Sequence, residues 1–316
     1  MNQFLSIKDV QDVAGLVQEA HTIKRNPHAW SDLGKHRTLG LIFMNPSLRT
    51  RLSTQKAGTN LGMNVMVMNV AQDGWNLETE EGVVMDGDAQ EHIREAARVI
   101  SQYCDIIGLR SFARLKNQEE DRNEAFLTRF VREATVPVVN MESATGHPLQ
   151  ALADLLTIRE HFPAERPRVV LTWAPHPRPL PQAVANSFAE WVGRTDAELV
   201  ITHPEGYELD PQFTDGAIFE PDQNKALEGA NFVYAKNWSS TTPYGQVLST
   251  DRDWMITEEK MNLTNHGKFM HCLPVRRNVI VSDGVLDSPT SIVVAQAANR
   301  EYAAQAVLKR LLEWIG

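Results

Sequence analysis

The segment Thr38–Arg51 reads TLGLIFMNPSLRTR. Its first seven residues carry no charge, so they read as a buried strand. Asn45-Pro46 ends that run. From Ser47 onward, SLRTRLSTQKAGTNLG reads as a helix that stops near Gly62. The first turn of such a helix offers free backbone N–H groups and the positive end of the helix dipole. Ser47 and Thr50 add hydroxyl donors. Arg49 and Arg51 add forked guanidiniums that match phosphate oxygens. Together they describe a phosphate cradle at a helix N-terminus. The same residues also describe a capped helix with two solvated arginines, and residue chemistry alone leaves both open.

Strand and helix alternate along the rest of the chain. Ser6–Arg25 reads as one helix, with Ile7, Val10, Val13, Val17 and Ala20 at three- and four-residue spacing and Ser6 with Asp9 as a capping pair. NVMVMNV, CDIIGLR and VPVVNME read as strands, with QEHIREAARVISQY and NEAFLTRFVREA as the helices between them. HPLQALADLLTIREHF is a helix. A second series follows, with strands in RPRVVLTWAP, AELVITHPE, NFVYAKNW and KFMHCLP, and the tail AQAANREYAAQAVLKRLLEWI is a long helix. Short apolar strands between amphipathic helices predict an α/β protein with two doubly wound parallel-sheet domains. The expected boundaries are 1–147, completed by the tail helix at about 295–316, and 148–294.

Composition narrows the function. The chain has 316 residues, 42% of them hydrophobic, enough for two cores. A formal charge of −9 and a pI of about 5.6 speak against nucleic-acid or anionic-membrane binding. Two distant cysteines, Cys104 and Cys272, form neither a disulfide framework nor a metal motif. The sequence has no membrane-length apolar run and no signal-peptide pattern. A cytoplasmic protein without membrane or nucleic-acid partners is expected.

Ligands of such sheets lie beyond the carboxyl ends of the strands. The segments there are NPSLRTR, RSFAR, ESATGHPLQ, PHPRPLP, HPEGY, KNW and CLPVRRN, rich in Arg, His, Asn and Ser. No GxxxxGK[ST] and no GxGxxG occurs. An NAD-type dehydrogenase is thereby disfavoured, and a non-enzymatic phosphate-binding regulator is the other competing class.

SLRTR behind a buried strand, followed by HPLQALAD and then HCLP, resembles the transcarbamylases, the aspartate/ornithine carbamoyltransferase superfamily. The motifs stand in order over nearly the whole chain. DGW, MDGDAQEH, TWAPHPRPLPQAVANS, YAKNW and CLPVRRN are similar to the branch that acts on N-acylated ornithine. SSTTPYGQ stands where the ornithine enzymes carry their SMG loop, which argues against free ornithine.

The resemblance implies that Ser47, Leu48 (through its backbone), Arg49, Thr50 and Arg51 hold carbamoyl phosphate. It implies that Arg110, His147, Gln150, Cys272, Leu273 and Arg300 complete that site. Thr50, Arg110, His147 and Cys272 would be catalytic. Trp75, Gln90, Glu142, His176, Arg178, Lys236 and Arg276 would meet the acyl-ornithine, with Trp75 reaching over from a neighbouring subunit of a homotrimer. No metal or other cofactor is implied. The expected reaction is carbamoyl transfer to the side-chain amine of N-succinylornithine, in arginine biosynthesis, with N-acetylornithine as the alternative acceptor and ornithine next. Position 90 is the discriminator: the family pattern has Glu on the acetyl side and Pro on the succinyl side, and this chain has Gln90. Ile280 stands where the acetyl side has a lysine, which favours succinyl.

Overall fold

Strand β1 (Thr38–Phe43) is buried over five of its six residues in the computed structural model, which describes residues 1–162 and 166–316. It lies inside a parallel sheet with β2 (Asn64–Asn69), β5 (Ile106–Arg110) and β6 (Val138–Glu142), in the order β2-β1-β5-β6. A two-residue parallel pair, β3 (Leu77–Glu78) with β4 (Glu91–His92), closes a separate loop. The second parallel sheet has the order β11-β10-β7-β8-β9, from β7 (Arg168–Trp173), β8 (Glu198–Thr202), β9 (Ile218–Phe219), β10 (Phe232–Lys236) and β11 (Lys268–Met270).

The helices are α1 (Val13–Arg25), α2 (Leu48–Asn60), α3 (Val70–Asp73), α4 (Ile93–Tyr103), α5 (Gln118–Arg122), α6 (Ala125–Glu133), α7 (Pro148–His161), α8 (Ala183–Val192), α9 (Gln223–Leu227), α10 (Glu258–Met261), α11 (Asp283–Leu286) and α12 (Val293–Ile315). The chain divides into two compact units. One holds Met1–Arg114, Glu119–Leu149 and Arg300–Gly316, and the other holds Leu115–Gln118 and Gln150–Asn299. Each has its own core. In the first, Ile42, Ile107, Leu109 and Val138 of the sheet pack with Ile93 and Ala97 of α4 and Leu127 and Phe130 of α6. In the second, Val170, Val200, Val233 and Phe269 pack with Ala226, Leu227, Ile256 and Ile280.

The predicted helix Ser6–Arg25 is two elements. Ser6 and Asp9 do form a capping box, but on a single 3-10 turn, Ile7–Asp9. Val10 is extended, and Asp12 then caps α1 through a hydrogen bond from the Gly15 N–H. The periodicity of the apolar residues ran on across the break because both pieces bury the same kind of face. Strand β3, the edge strand β9, the short helices α5 and α11 and all of α3 after Val70 lie in segments read as loop, whereas β4 takes up Glu91 and His92 at the start of a segment read as helix, so that α4 begins only at Ile93.

Both sheets change direction at one place. In the first, the chain leaves β1 for β2 on one side and returns to β5 on the other, so the switch point lies between β1 and β5. In the second, β7 leads to β8 and β9 on one side, and β10 and β11 fill the other. Crevices beyond the strand ends at such points are where α/β sheets bind ligands.

Candidate active site

At the first switch point β1 ends in Phe43, and Ser47 caps α2, its hydroxyl accepting from the Thr50 N–H at 3.3 Å. Asn45 bridges the crevice by accepting the Phe112 N–H at 2.7 Å, which ties the loop after β1 to the loop after β5. Thr50 is buried, and its hydroxyl is the common acceptor of two guanidiniums. Arg110 Nη1 donates to it at 3.2 Å and Arg300 Nη2 at 2.6 Å. Arg110 also donates to Glu142, at very close range, from the end of the neighbouring strand.

That last pair owes its geometry to a bulge. Leu109 stands opposite Asn140, but the register slips and Arg110 stands opposite Glu142. A bulge of this kind re-aims side chains at a strand end. Here it brings two buried charged residues face to face. Arg110 further stacks on Phe112, its guanidinium carbon 4.4 Å from the ring centre. Its Nε is buried and has no hydrogen-bond partner among the described residues.

His147 completes the cluster. Its Nε2 lies 3.3 Å from Arg300 Nη2 and 3.4 Å from a Glu142 oxygen. A guanidinium only donates, so the Arg300 contact uses the Nε2 lone pair. The Glu142 approach suits an Nε2–H instead, so one tautomer cannot satisfy both. Two guanidiniums against one carboxylate leave the cluster with a surplus positive charge, before the helix dipole is counted. Such a place holds an anion. Arg49 is half-buried and Arg51 is exposed, on either side of Thr50 in the first turns of α2. Leu48 is exposed as well.

Sequence reasoning missed Glu124. It precedes α6 in a left-handed conformation, φ +51°. Its carboxylate accepts from the Ser143 hydroxyl at 2.6 Å, the Ala144 N–H at 3.1 Å, and the Thr145 N–H and hydroxyl at 2.7 and 2.6 Å. These bonds fix the turn between Glu142 and His147. The strained backbone at Glu124 was the physical signal, and no motif carries it.

In the same unit, Trp75 is 49% exposed and its indole N–H donates to Glu91 at 2.9 Å. Gln90 is exposed on the same loop, its backbone N–H bonded to the Asn76 carbonyl at 3.2 Å. Neither touches the Thr50 cluster in any described hydrogen bond. Arg129 and Arg132 on α6 pair with Glu80 and Glu81 and hold the base of that loop.

The second unit carries its own group at its own switch point. His176 and Arg178 follow β7, and Lys236 ends β10. Arg276 Nε donates to His176 Nε2 at 3.0 Å, while His176 Nδ1 lies 2.8 Å from the Arg178 carbonyl. The Arg276 contact uses the Nε2 lone pair of a neutral ring, while Nδ1 faces both the Arg178 carbonyl and the Arg178 N–H, the latter at 3.1 Å, and only one of these two can be its hydrogen-bond partner at a time. Burial lowers its pKa below the usual 6.5, and the charges of Arg276, Lys236 and Arg178 push the same way against the carbonyl bond. Lys236 is buried, and its ammonium has no hydrogen-bond or ion-pair partner among the described residues. Three cations gathered round one neutral imidazole form a receptor for carboxylates.

Gln150 and Cys272 also lie in the second unit. Gln150 is 1% exposed and donates to Asp154 at 2.8 Å. Cys272 is half-buried, and Leu273 has φ +55° before a cis bond to Pro274. Ile280 is buried in the hydrophobic core. No cluster of metal-ligating side chains occurs among the described residues.

The carbamoyl-P binding domain of aspartate/ornithine carbamoyltransferase matches residues 2–160, and its Asp/Orn binding domain matches residues 181–311. An N-succinylornithine carbamoyltransferase of Bacteroides fragilis (strain 638R) is 58% identical over 315 residues, 99% of each chain. An N-acetylornithine carbamoyltransferase of Xanthomonas axonopodis pv. citri (strain 306) is 37% identical over 339 residues, 100% of this chain and 98% of that one. Among solved structures, a mutant N-acetyl-L-ornithine transcarbamylase complexed with carbamyl phosphate and N-succinyl-L-norvaline matches with a TM-score of 0.93 at 36% identity, over 98% of this chain and 100% of that one. With both domains matched and 58% identity over 99% of each chain to one of its members, this chain belongs to the aspartate/ornithine carbamoyltransferase family.

Proposed function

We propose that this protein moves the carbamoyl group of carbamoyl phosphate to the side-chain amine of N-succinylornithine, giving N-succinylcitrulline and phosphate on a route to arginine. The observation that carries the reading is the convergence of Arg110 and Arg300 on Thr50 at the N-terminus of α2. Ser47, the Leu48 backbone, Arg49, Thr50 and Arg51 hold the phosphate. Arg110 spans phosphate and carbonyl oxygen, aided by His147 and Arg300. Gln150, Cys272 and the Leu273 carbonyl take the carbamoyl group.

The neutral amine attacks the carbonyl carbon. As the tetrahedral intermediate forms, negative charge grows on the carbonyl oxygen, where Thr50, Arg110 and His147 donate. Donors placed for that charge lower the barrier because they bind the transition state better than the ground state. The C–O bond to phosphate then breaks, the amine nitrogen gives up one proton, and phosphate takes that proton and leaves as the HPO4 dianion, matched by the guanidiniums.

Lys236, Arg178 and Arg276 meet the carboxylates of the acceptor, and His176 and Glu142 also bind it. N-succinylornithine carries one carboxylate more than N-acetylornithine. Neutral Gln90 would donate a hydrogen bond to it, where a glutamate would repel it. The 58% identity to the succinyl enzyme supports this choice. Trp75 serves a neighbouring subunit in a homotrimer, which suits its exposure.

Parallel assays of ureido product with both acyl-ornithines test the reading. A charge-assisted contact is worth about 1.5–3 kcal/mol, so kcat/KM should favour N-succinylornithine by about tenfold or more. A preference of that size for N-acetylornithine would overturn the acyl assignment.

A further inference from the structure

Asp154 lies on α7, one helical turn beyond Gln150, and is fully buried. Its Oδ1 accepts from two amides, Gln150 Nε2 at 2.8 Å and Gln296 Nε2 at 2.7 Å. A carboxylate oxygen can only accept here, so it fixes the orientation of both side chains: each turns its NH2 toward Asp154 and its carbonyl away.

Two consequences follow from the locked amides. Gln150 Oε1 is left buried with no hydrogen-bond partner among the described residues. A buried acceptor in that state is costly unless a bound N–H donor meets it. Gln296 Oε1, for its part, accepts the His271 N–H at 2.9 Å, and His271 Nδ1 accepts the Leu273 N–H at 2.8 Å. One carboxylate thus governs the aim of Gln150 and the entry to the His271–Leu273 turn, more than a hundred residues on. The Tyr234 hydroxyl lies against Asp154 and Cys272, and burial, with the charge of Asp154 beside it, keeps it protonated.

We infer that Asp154 is a positioning residue for carbamoyl transfer, holding the Gln150 carbonyl ready for the carbamoyl NH2 and, through Gln296 and His271, setting the Leu273 turn. This rests on the carbamoyl-transfer reading above. Asp154 touches neither substrate and works through the two glutamines. An apolar side chain at 154 frees the Gln150 amide to turn over, so that the carbamoyl group then meets an NH2 instead of a carbonyl, and leaves Gln296 held only by its bond from the His271 N–H. The phosphate end, held by the cradle at Ser47–Arg51, keeps its partners.

The test compares wild type, Asp154→Leu, Asp154→Asn and Gln150→Ala, each with carbamoyl phosphate and N-succinylornithine, and with inorganic phosphate as a competitive inhibitor. Asp154→Leu should lower kcat/KM for carbamoyl phosphate by about tenfold, through a higher KM together with a lower kcat, the scale of one lost hydrogen bond. The inhibition constant of phosphate should stay near the wild-type value. Asp154→Asn keeps an acceptor at the same place and should fall between the two; it carries the test if Asp154→Leu does not fold. The effects of Asp154→Leu and Gln150→Ala should not add. Additive effects, or a phosphate constant that rises in parallel with KM, would overturn the positioning role. A wild-type protein that forms no ureido product would overturn the transfer reading itself, and this proposal with it.

Discussion

Arg300 Nη2 donates to the Thr50 hydroxyl at 2.6 Å, joining residues 250 positions apart in the sequence. The same oxygen accepts from Arg110 at 3.2 Å, so one small side chain aligns two guanidiniums. Thr50→Val keeps the shape and removes the acceptor. Loss of one donor to a developing oxyanion costs about 10²–10³ in kcat, and Thr50→Val should reach that range because it also frees the two arginines. Thermal stability should change little. Steady-state kinetics with a melting curve checks this, and a variant with wild-type kcat would remove Thr50 from the catalytic group.

Glu142 separates two roles of the cluster. It neutralises part of the charge of Arg110 and holds that side chain opposite the bulge. Glu142→Gln removes the negative charge, so inorganic phosphate should bind more tightly. It also loosens Arg110, so kcat should fall. These opposite movements are the signature, read as a lower inhibition constant for phosphate beside a lower turnover. A variant in which both weaken together would show that Glu142 serves only to keep the site folded.

His176 makes the second unit sensitive to pH. Its pKa in the folded protein lies below the usual 6.5, so the folded state binds fewer protons than the unfolded one under mildly acidic conditions. Stability from this group is complete above that value and declines as pH falls through it toward the folded pKa. Protonation also removes the lone pair that accepts Arg276 Nε–H. KM for the acyl-ornithine should therefore stay flat through the pH where a free histidine titrates and rise only as pH falls further, through the lowered pKa of the folded protein. NMR titration of the ring, with KM measured over the same range, tests the link. A ring pKa at or above the ordinary value would contradict it.

Gly40 offers a stability test away from the chemistry. A methyl group built on it would overlap Cys104 Sγ, which is buried at the entry to β5. Gly40→Ala should cost about 1–3 kcal/mol, the range of core overpacking. Cys104→Ala in the same chain should recover much of the loss. Burial, reinforced by the charge of Asp105, pushes the Cys104 thiol up to about 11, so alkylation at neutral pH should spare it in the folded protein. Denaturant melts of the single and double variants, with mass spectrometry of alkylated protein, supply the readout.

The parallel sheets were legible because their strands are buried on both faces and read as continuous apolar runs, as in TLGLIF and RVVLTW. Thr50, Arg110, His147 and Arg300 were named together from the family resemblance, and the structure brings the four side chains into one cluster. Their mutual contacts were not legible, since these depend on the strand order and on a one-residue slip opposite Arg110 that no local pattern encodes. Glu124 and Asp154 escaped notice for a related reason. Each is a single acidic residue in a helical segment, and its importance comes only from the amides and hydroxyls that tertiary structure brings to it. The helix break at Val10–Asp12 was hidden because apolar spacing continued through it.

A crystal soaked in carbamoyl phosphate tests the central claim most directly. The account predicts phosphate oxygens within hydrogen-bonding reach of the backbone N–H groups that open α2 and of the Arg110 and Arg300 guanidiniums. Phosphate bound elsewhere, with Arg110 and Arg300 still closed on Thr50 and no anion beside them, would contradict it.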